Sequence, residues 1–333
     1  MIQADVQPVC VPMPTPHRTA SGTIAESPLV RLTLRFDDGA VGESVIFTYT
    51  PAALQPTADL IRNIVPLITS DAPAAVSQKL AARFRLLGTQ GLVGMALAAI
   101  DMALWDAHAH RANMPLYRLL GAEPKPIPAY GAVGYDGPQE SAAVAESWAK
   151  RGFRGVKAKI GYPTLRRDVE TIRAIRSAVG PDVAIMVDYN QSLTPAEAIE
   201  RIRHLDEEGL TWIEEPTRSH DFAGHARIAA EARTPIQCGE NWWGPLDVRH
   251  AIDARASDEM MLDVMKVGGV TGWLEASALA TAHGIRVSNH LWPEISAHLL
   301  AATPTAHWLE YADWWHPVTR EPLQIENGLA VLS

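Results

Sequence analysis

Seven short apolar runs after residue 150 each end on residues able to do chemistry. They close as VKAK, with Lys157 and Lys159; MVDYN, with Asp188 and Asn190; WIEE, with Glu214; QCGEN, with Glu240; LDVMK, with Asp263 and Lys266; SNH, with His290; and LE, with Glu310. Three of the acids are evenly spaced, 214 − 188 = 26 and 240 − 214 = 26. Carboxylates brought that close repel one another unless protonated or neutralised. A hard divalent cation resolves the conflict, and an all-oxygen set with room for water and substrate suits Mg²⁺. Zinc would recruit histidine or cysteine, and neither stands at these three positions. His108 and His110 make no zinc pair, because two residues apart on a helix they point to different faces.

The remaining strand-end residues suggest proton transfer. Lys157 and Lys159 share a face of their strand. Two ammonium groups in one pocket depress each other's pKa, which predicts that one of them can act as a neutral base near pH 7. Asp263 bonded to one ring nitrogen of His290 would orient the imidazole and favour its protonated form. Glu310, near the other carboxylates, is expected to stay protonated and to donate a hydrogen bond to developing negative charge.

These groups meet only if the elements between them bring the strand ends to one rim. Helical stretches, such as 165–179, 195–208 and 271–283, separate most of the apolar runs, which reads as consecutive parallel βα units. That number of units favours a closed barrel, whose C-terminal rim collects catalytic groups. No dinucleotide fingerprint opens any of the helices. The first 125 residues read differently. Alternating runs at 30–36 and 40–47 flank an Asp-Asp-Gly turn, and helical patterns follow at 53–69, 76–87 and 91–110. The expectation is a (β/α)7β TIM-like barrel over 126–320 with an N-terminal α+β capping domain over 1–125. Prolines 124, 126 and 128 mark the junction, and 321–333 would return toward the capping domain.

Bulk composition excludes other classes. Net charge is 29 − 38 = −9, a poor match for nucleic acid or an anionic membrane surface. The two cysteines, Cys10 and Cys238, cannot build a disulfide framework. No basic-then-apolar leader opens the chain and no unbroken apolar run reaches 18 residues, so a cytoplasmic protein is the simplest expectation.

At the same residues the chain resembles the mandelate racemase branch of the enolase superfamily. The matching motifs are KAK at 157–159, VDYN at 187–190, WIEEP at 212–216, GEN at 239–241, DVMKVGG at 263–269, NHL at 289–291 and HWLE at 307–310, and the likeness extends to MALAAIDMALWDA in the first domain. The resemblance implies Mg²⁺ on Asp188, Glu214 and Glu240. It implies Lys159 as one base and His290, assisted by Asp263, as the opposite one. Lys157 would contact the substrate carboxylate, Glu310 would act as the electrophilic acid, and Asn190 would touch substrate or a metal ligand. The activity implied is α-proton abstraction from a 2-hydroxy carboxylate through an enediolate, as two-base racemisation of mandelate or a similar acid. An acid-sugar (aldonate or aldarate) dehydratase would use the same lysine and histidine, and a non-catalytic binder on a decayed barrel is the third reading. Related proteins commonly form homo-oligomers. In the pocket wall Phe47, Tyr49 and Leu291 match the family and Ile24 is a mild change, but His17 and Ser21 stand where aliphatic residues are expected. Ala132 replaces a serine and Ala312 a leucine, which makes the pocket roomier.

Overall fold

The computed structural model describes residues 2–20, 22–69, 71–316 and 319–332, apart from the side chains of Pro14 and Thr15; Ser21 therefore lies outside the described residues. The first domain is a three-stranded antiparallel sheet, β1 (Ile2–Thr19), β2 (Gly22–Phe36) and β3 (Val41–Phe47), in that spatial order. Three helices follow: α1 (Pro51–Ile64), α2 (Pro73–Phe84) and α3 (Gly91–Ala112). The long β1 is absent from the sequence expectation, because prolines 8, 12, 14 and 16 argue against a strand. Its place at the sheet edge explains the tolerance: an edge strand need not donate on its outer side. The pairing slips between Pro12 and His17, and the strand resumes with His17 opposite Ile24. β1 and β2 thus project as a long hairpin whose tip carries His17 out from the sheet.

Helix α3 is long and apolar enough to cross a membrane, yet most of it is buried inside the fold. It lies against β3 so closely that a Cβ on Gly42 would sit 1.9 Å from Ala103 O, which only glycine permits. Asp101 of α3 then reaches the second domain.

That domain runs β4 (Ile127–Val133), α5 (Gly137–Lys150), β5 (Gly155–Lys159), α6 (Leu165–Val179), β6 (Ala184–Asp188), α7 (Pro195–Leu205), β7 (Ile213–Glu214), α8 (Phe222–Glu231), β8 (Ile236–Cys238), α9 (Gly244–Ala254), β9 (Glu259–Leu262), α10 (Gly269–Ala282), β10 (Arg286–Asn289), α11 (Pro293–Ala302) and β11 (Leu309–Tyr311); a short α4 (Leu116–Leu119) precedes it. Neighbouring strands from β4 to β10 pair in parallel, β11 pairs with β4, and a Val287–Ala306 bridge links β10 to the lead-in of β11. The ring is closed: eight strands with seven helices between them, a (β/α)7β barrel. Tyr130, Met186, Trp212 and Met261 fill its interior below the rim. The last strands, β12 (Gln324–Glu326) and β13 (Leu329–Val331), form a hairpin laid antiparallel on β4, while Arg320 just ahead of them reaches Glu43 of the first domain at 3.1 Å.

The two domains dock through a cap supplied across the interface. Gly268 precedes α10 and offers no side chain to its free amides. Asp101 takes that part, accepting from Thr271 N at 2.9 Å and Thr271 Oγ1 at 2.5 Å. Burial nonetheless lifts its carboxyl to about 6.

Candidate active site

Strand register places the chemistry at one rim. Lys159 lies beside Asp188, Asp188 beside Glu214, and Glu214 beside Gln237. Gly239, at φ +135°, then turns the chain just before Glu240; a Cβ there would meet Met261 O at 2.5 Å. Asp188, Glu214 and Glu240 are all buried, and one carboxylate oxygen from each lies within 4.8 Å of the others. The arc is flanked at both ends by nitrogen. Lys159 Nζ is paired with Asp188, and His290 Nε2 faces Glu240 Oε2 at 3.4 Å. Lys159 ends β5 and His290 follows β10, so β11 and β4 separate them on one side of the ring and the three acids span the other.

Each acid is held from outside. Asn190 donates to both oxygens of Asp188, through its backbone N at 2.6 Å and Nδ2 at 3.0 Å. Glu214 Oε2 accepts from Trp212 Nε1 at 3.0 Å and Gln237 Nε2 at 3.3 Å, and its Oε1 from Lys157 at 2.6 Å. Burial, outweighing the pull of Lys157, lifts Glu214 to about 8, with Asp188 and Glu240 adding to the rise. Burial works the same way on Glu240, but His290 and the lysines overcome it and hold that carboxyl low. Crowding that makes a buried carboxylate hard to ionise is what a bound divalent cation relieves, so the donor set fits such an ion.

His290 Nδ1 is 2.7 Å from Asp263 Oδ2, and Met265 N donates to the other oxygen, so the carboxylate is fixed and the ring with it. Burial pulls this imidazole down, yet Glu240 and Asp263 raise it above its usual value.

Two expectations concern the charge of these groups. The surrounding carboxylates favour the charged form of both lysines. Burial lowers Lys159, but Asp188 with Glu240 and Glu214 more than reverses that, and its pKa is raised. Lys157 is likewise raised, since Glu214 and Glu310 outweigh burial. The cations around Glu310 favour its charged form. Its Oε1 lies 2.8 Å from Lys157 Nζ and its Oε2 accepts from Leu291 N at 2.8 Å; burial favours the neutral form, but Lys157, His290 and Lys159 hold the carboxyl below its usual value.

Over the rim lies a wall of rings. Phe47 and Tyr49 contact one another at 4.6 Å, Phe47 meets Trp315 at 5.6 Å, and Trp315 stacks on Trp292 at 4.3 Å. His17, delivered by the hairpin tip, sits 4.7 Å from Trp314. Burial, with Lys159 adding, pushes its pKa to about 3, so the ring is a neutral hydrogen-bonding group at working pH. Ile24 lies beside it across the hairpin and packs on the core. Ala132 pairs in register with Lys157 and offers no polar side chain of its own. Ala312 is buried just past β11.

Sequence reasoning missed Trp292, Trp314 and Trp315, since aromatic residues in a loop after a strand read as packing. It also missed Trp212 and Gln237 as supports for Glu214; Trp212, two residues before Glu214 in the extended lead-in to β7, carried that signal through the two-residue spacing.

Comparison with known proteins agrees with this layout. Residues 1–121 match the mandelate racemase / muconate lactonizing enzyme N-terminal domain, and 140–333 match the enolase C-terminal domain-like family. A solved Bradyrhizobium enolase complexed with magnesium and mandelic acid superposes with a TM-score of 0.94 at 42% identity, covering 98% of this chain and 91% of that one. The L-talarate/galactarate dehydratase of Salmonella typhimurium LT2 is 34% identical over 74% of this chain, a match spanning 63% of that enzyme, less than two thirds of its length. The L-Ala-D/L-Glu epimerase of Bacillus subtilis 168 is 32% identical over 86% of this chain and 79% of the epimerase.

Proposed function

Because the chain belongs to the mandelate racemase and muconate lactonizing enzyme family of the enolase superfamily, we propose that it is a Mg²⁺-dependent enzyme that abstracts the α-proton of a 2-hydroxy carboxylate and, by two-base exchange, racemises mandelate or a close relative. The observation that carries this reading is the flanking of one carboxylate arc by Lys159 at Asp188 and by Asp263-supported His290 at Glu240. A base at each end allows a proton to leave one face of the α-carbon and return to the other.

Asp188, Glu214 and Glu240 would hold the ion. Mg²⁺ bound there would supply a Lewis acid for the substrate carboxylate and offset the negative charge that keeps Lys159 protonated. Lys157, fixed between Glu214 and Glu310, presents a buried positive charge to the same carboxylate. Glu310 orients that lysine and, through Leu291 N, the loop after β10. Preorganised charge of this kind is worth about 3–4 kcal/mol per contact to an enediolate-like transition state. Asn190 keeps Asp188 in place. Phe47, Tyr49, Ile24 and Leu291 cover the substrate's far end, with His17 as a polar part of that cover.

A second reading, dehydration of an acid sugar, uses the same bases to expel a β-hydroxyl. Neutral His17 in an otherwise aromatic and aliphatic cover favours it, and so does the likeness to the talarate/galactarate dehydratase. The test is incubation with Mg²⁺ in D₂O with both mandelate enantiomers and a panel of aldonates and aldarates, read by NMR. Racemisation predicts α-deuterium uptake from both enantiomers. His290→Asn should keep exchange from one enantiomer and lose the other by at least about a hundredfold; equal retention or equal loss would refute the two-base assignment. A 2-keto-3-deoxy product without enantiomer interconversion would establish the dehydratase instead.

A further inference from the structure

Lys266 is a buried lysine that the chemistry above leaves unused. It is 5% exposed, yet among the described residues it makes no ion pair, unlike Lys157 and Lys159. Its ammonium donates to Asn241 Oδ1 at 2.6 Å and stands 4.6 Å from the centroid of the Tyr49 ring. An ammonium group can only donate. The amide atom facing it must therefore be oxygen, which turns the NH₂ of Asn241 the other way. There Nδ2 donates to Glu240 Oε1 at 3.0 Å and to Glu215 Oε2 at 2.8 Å.

One amide thus holds two buried carboxylates, one of them a member of the triad. Were the amide to turn over, its oxygen would face both, replacing two attractions by two repulsions. The group opposing that turn is Lys266. Tyr49 in turn comes from the capping domain, held at φ +59° just after β3, so a residue of the substrate cover stands at the far end of the relay.

From these contacts we infer that Lys266 is a positioning residue for the metal site: by fixing the Asn241 amide it sets the Glu240 carboxylate for a divalent cation, and Tyr49 links that setting to the cover over the substrate. This inference rests on the reading of Asp188, Glu214 and Glu240 as the metal ligands. It deepens that reading by assigning cation affinity to a lysine outside the triad.

Mn²⁺ titration followed by electron paramagnetic resonance tests it without reference to turnover, with melting temperatures measured alongside in metal-free buffer. Lys266→Met is expected to weaken Mn²⁺ binding about tenfold or more, the usual cost of removing a partner behind a ligand, and Lys266→Arg to recover most of it. Tyr49→Leu is expected to weaken binding about threefold through loss of the ring face. Mn²⁺ binding by Lys266→Met within twofold of wild type overturns the inference, as does a weakened Met variant that Arg fails to rescue, since that marks loss of packing. If Lys266→Met does not fold, Tyr49→Leu decides: unchanged binding overturns the inference. Wild-type protein that binds no Mn²⁺ would overturn the triad reading itself, a result distinct from the others.

Discussion

The mouth of the barrel has two walls of different physical character. The lower wall, the strand rim, is a buried network of charges in which each carboxylate has a named donor: Asn190 on Asp188, Trp212, Gln237 and Lys157 on Glu214, Asn241 on Glu240, Met265 N on Asp263. The upper wall is built of rings and aliphatic groups from the β1–β2 hairpin and the end of β3 in the first domain and from the loops after β10 and β11, with His17 and the Tyr49 hydroxyl among its polar groups. Buried charge tolerates almost no change, because removing one partner strands the other at a cost of several kcal/mol. An apolar cover tolerates exchange, because each contact is worth little alone. Under the proposed function the rim would carry the reaction and the cover the choice of substrate.

The largest effect that should follow is at the rim. Glu240→Gln or Asp188→Asn is expected to lower α-proton exchange by about 10³-fold or more while secondary structure, by circular dichroism, is unchanged. Residual exchange within tenfold of wild type would mean that the carboxylate arc is not the seat of the chemistry.

Next comes the joint between the walls. Asp101→Ala removes the cap that α3 lends to α10 and leaves Thr271 N unsatisfied, a loss of about 2 kcal/mol in urea unfolding. No change in midpoint would show that the domains dock without it.

The cover should respond more mildly. His17→Val is expected to shift the ratio of kcat/KM for mandelate over a polyhydroxylated acid toward mandelate by about tenfold, with exchange at the α-carbon little altered. An equal loss on both substrates would place His17 with the reacting groups and blur the distinction between the walls.

The smallest consequence lies outside both. His225 on α8 is buried, and burial lowers its pKa to about 4 although Asp221 O sits 3.2 Å from Nδ1. The folded state therefore favours the neutral ring. Its stability is full above the unfolded value of about 6.5 and falls as pH drops from there toward 4, by up to about 3 kcal/mol, from (6.5 − 4) × 1.36. His225→Phe should flatten that part of the stability profile without touching exchange at neutral pH.

How much of this was legible beforehand differs between the same regions. The even 26-residue spacing of the acids and the polar closing of each apolar run carried the barrel and its rim, since a parallel βα repeat returns successive strand ends to one edge. The aromatic cover was only half legible: Phe47 and Tyr49 stood on a resemblance, whereas Trp292, Trp314 and Trp315 showed no pattern along the chain. β1 was hidden by its prolines, which an edge position excuses.

Residue order alone decided which groups share a strand end, because backbone periodicity is local and translates spacing into direction. It could not decide their ionisation. Lys157, Lys159 and Glu310 take their charge states from the carboxylates and ammoniums that other strands set within hydrogen-bonding reach, in a place where burial multiplies each interaction. Nor could it foresee that Asp101 would cap a helix 170 residues away, or that Lys266 would face an amide rather than an acid. Those are distances in space, and only the closed barrel with its cap sets them.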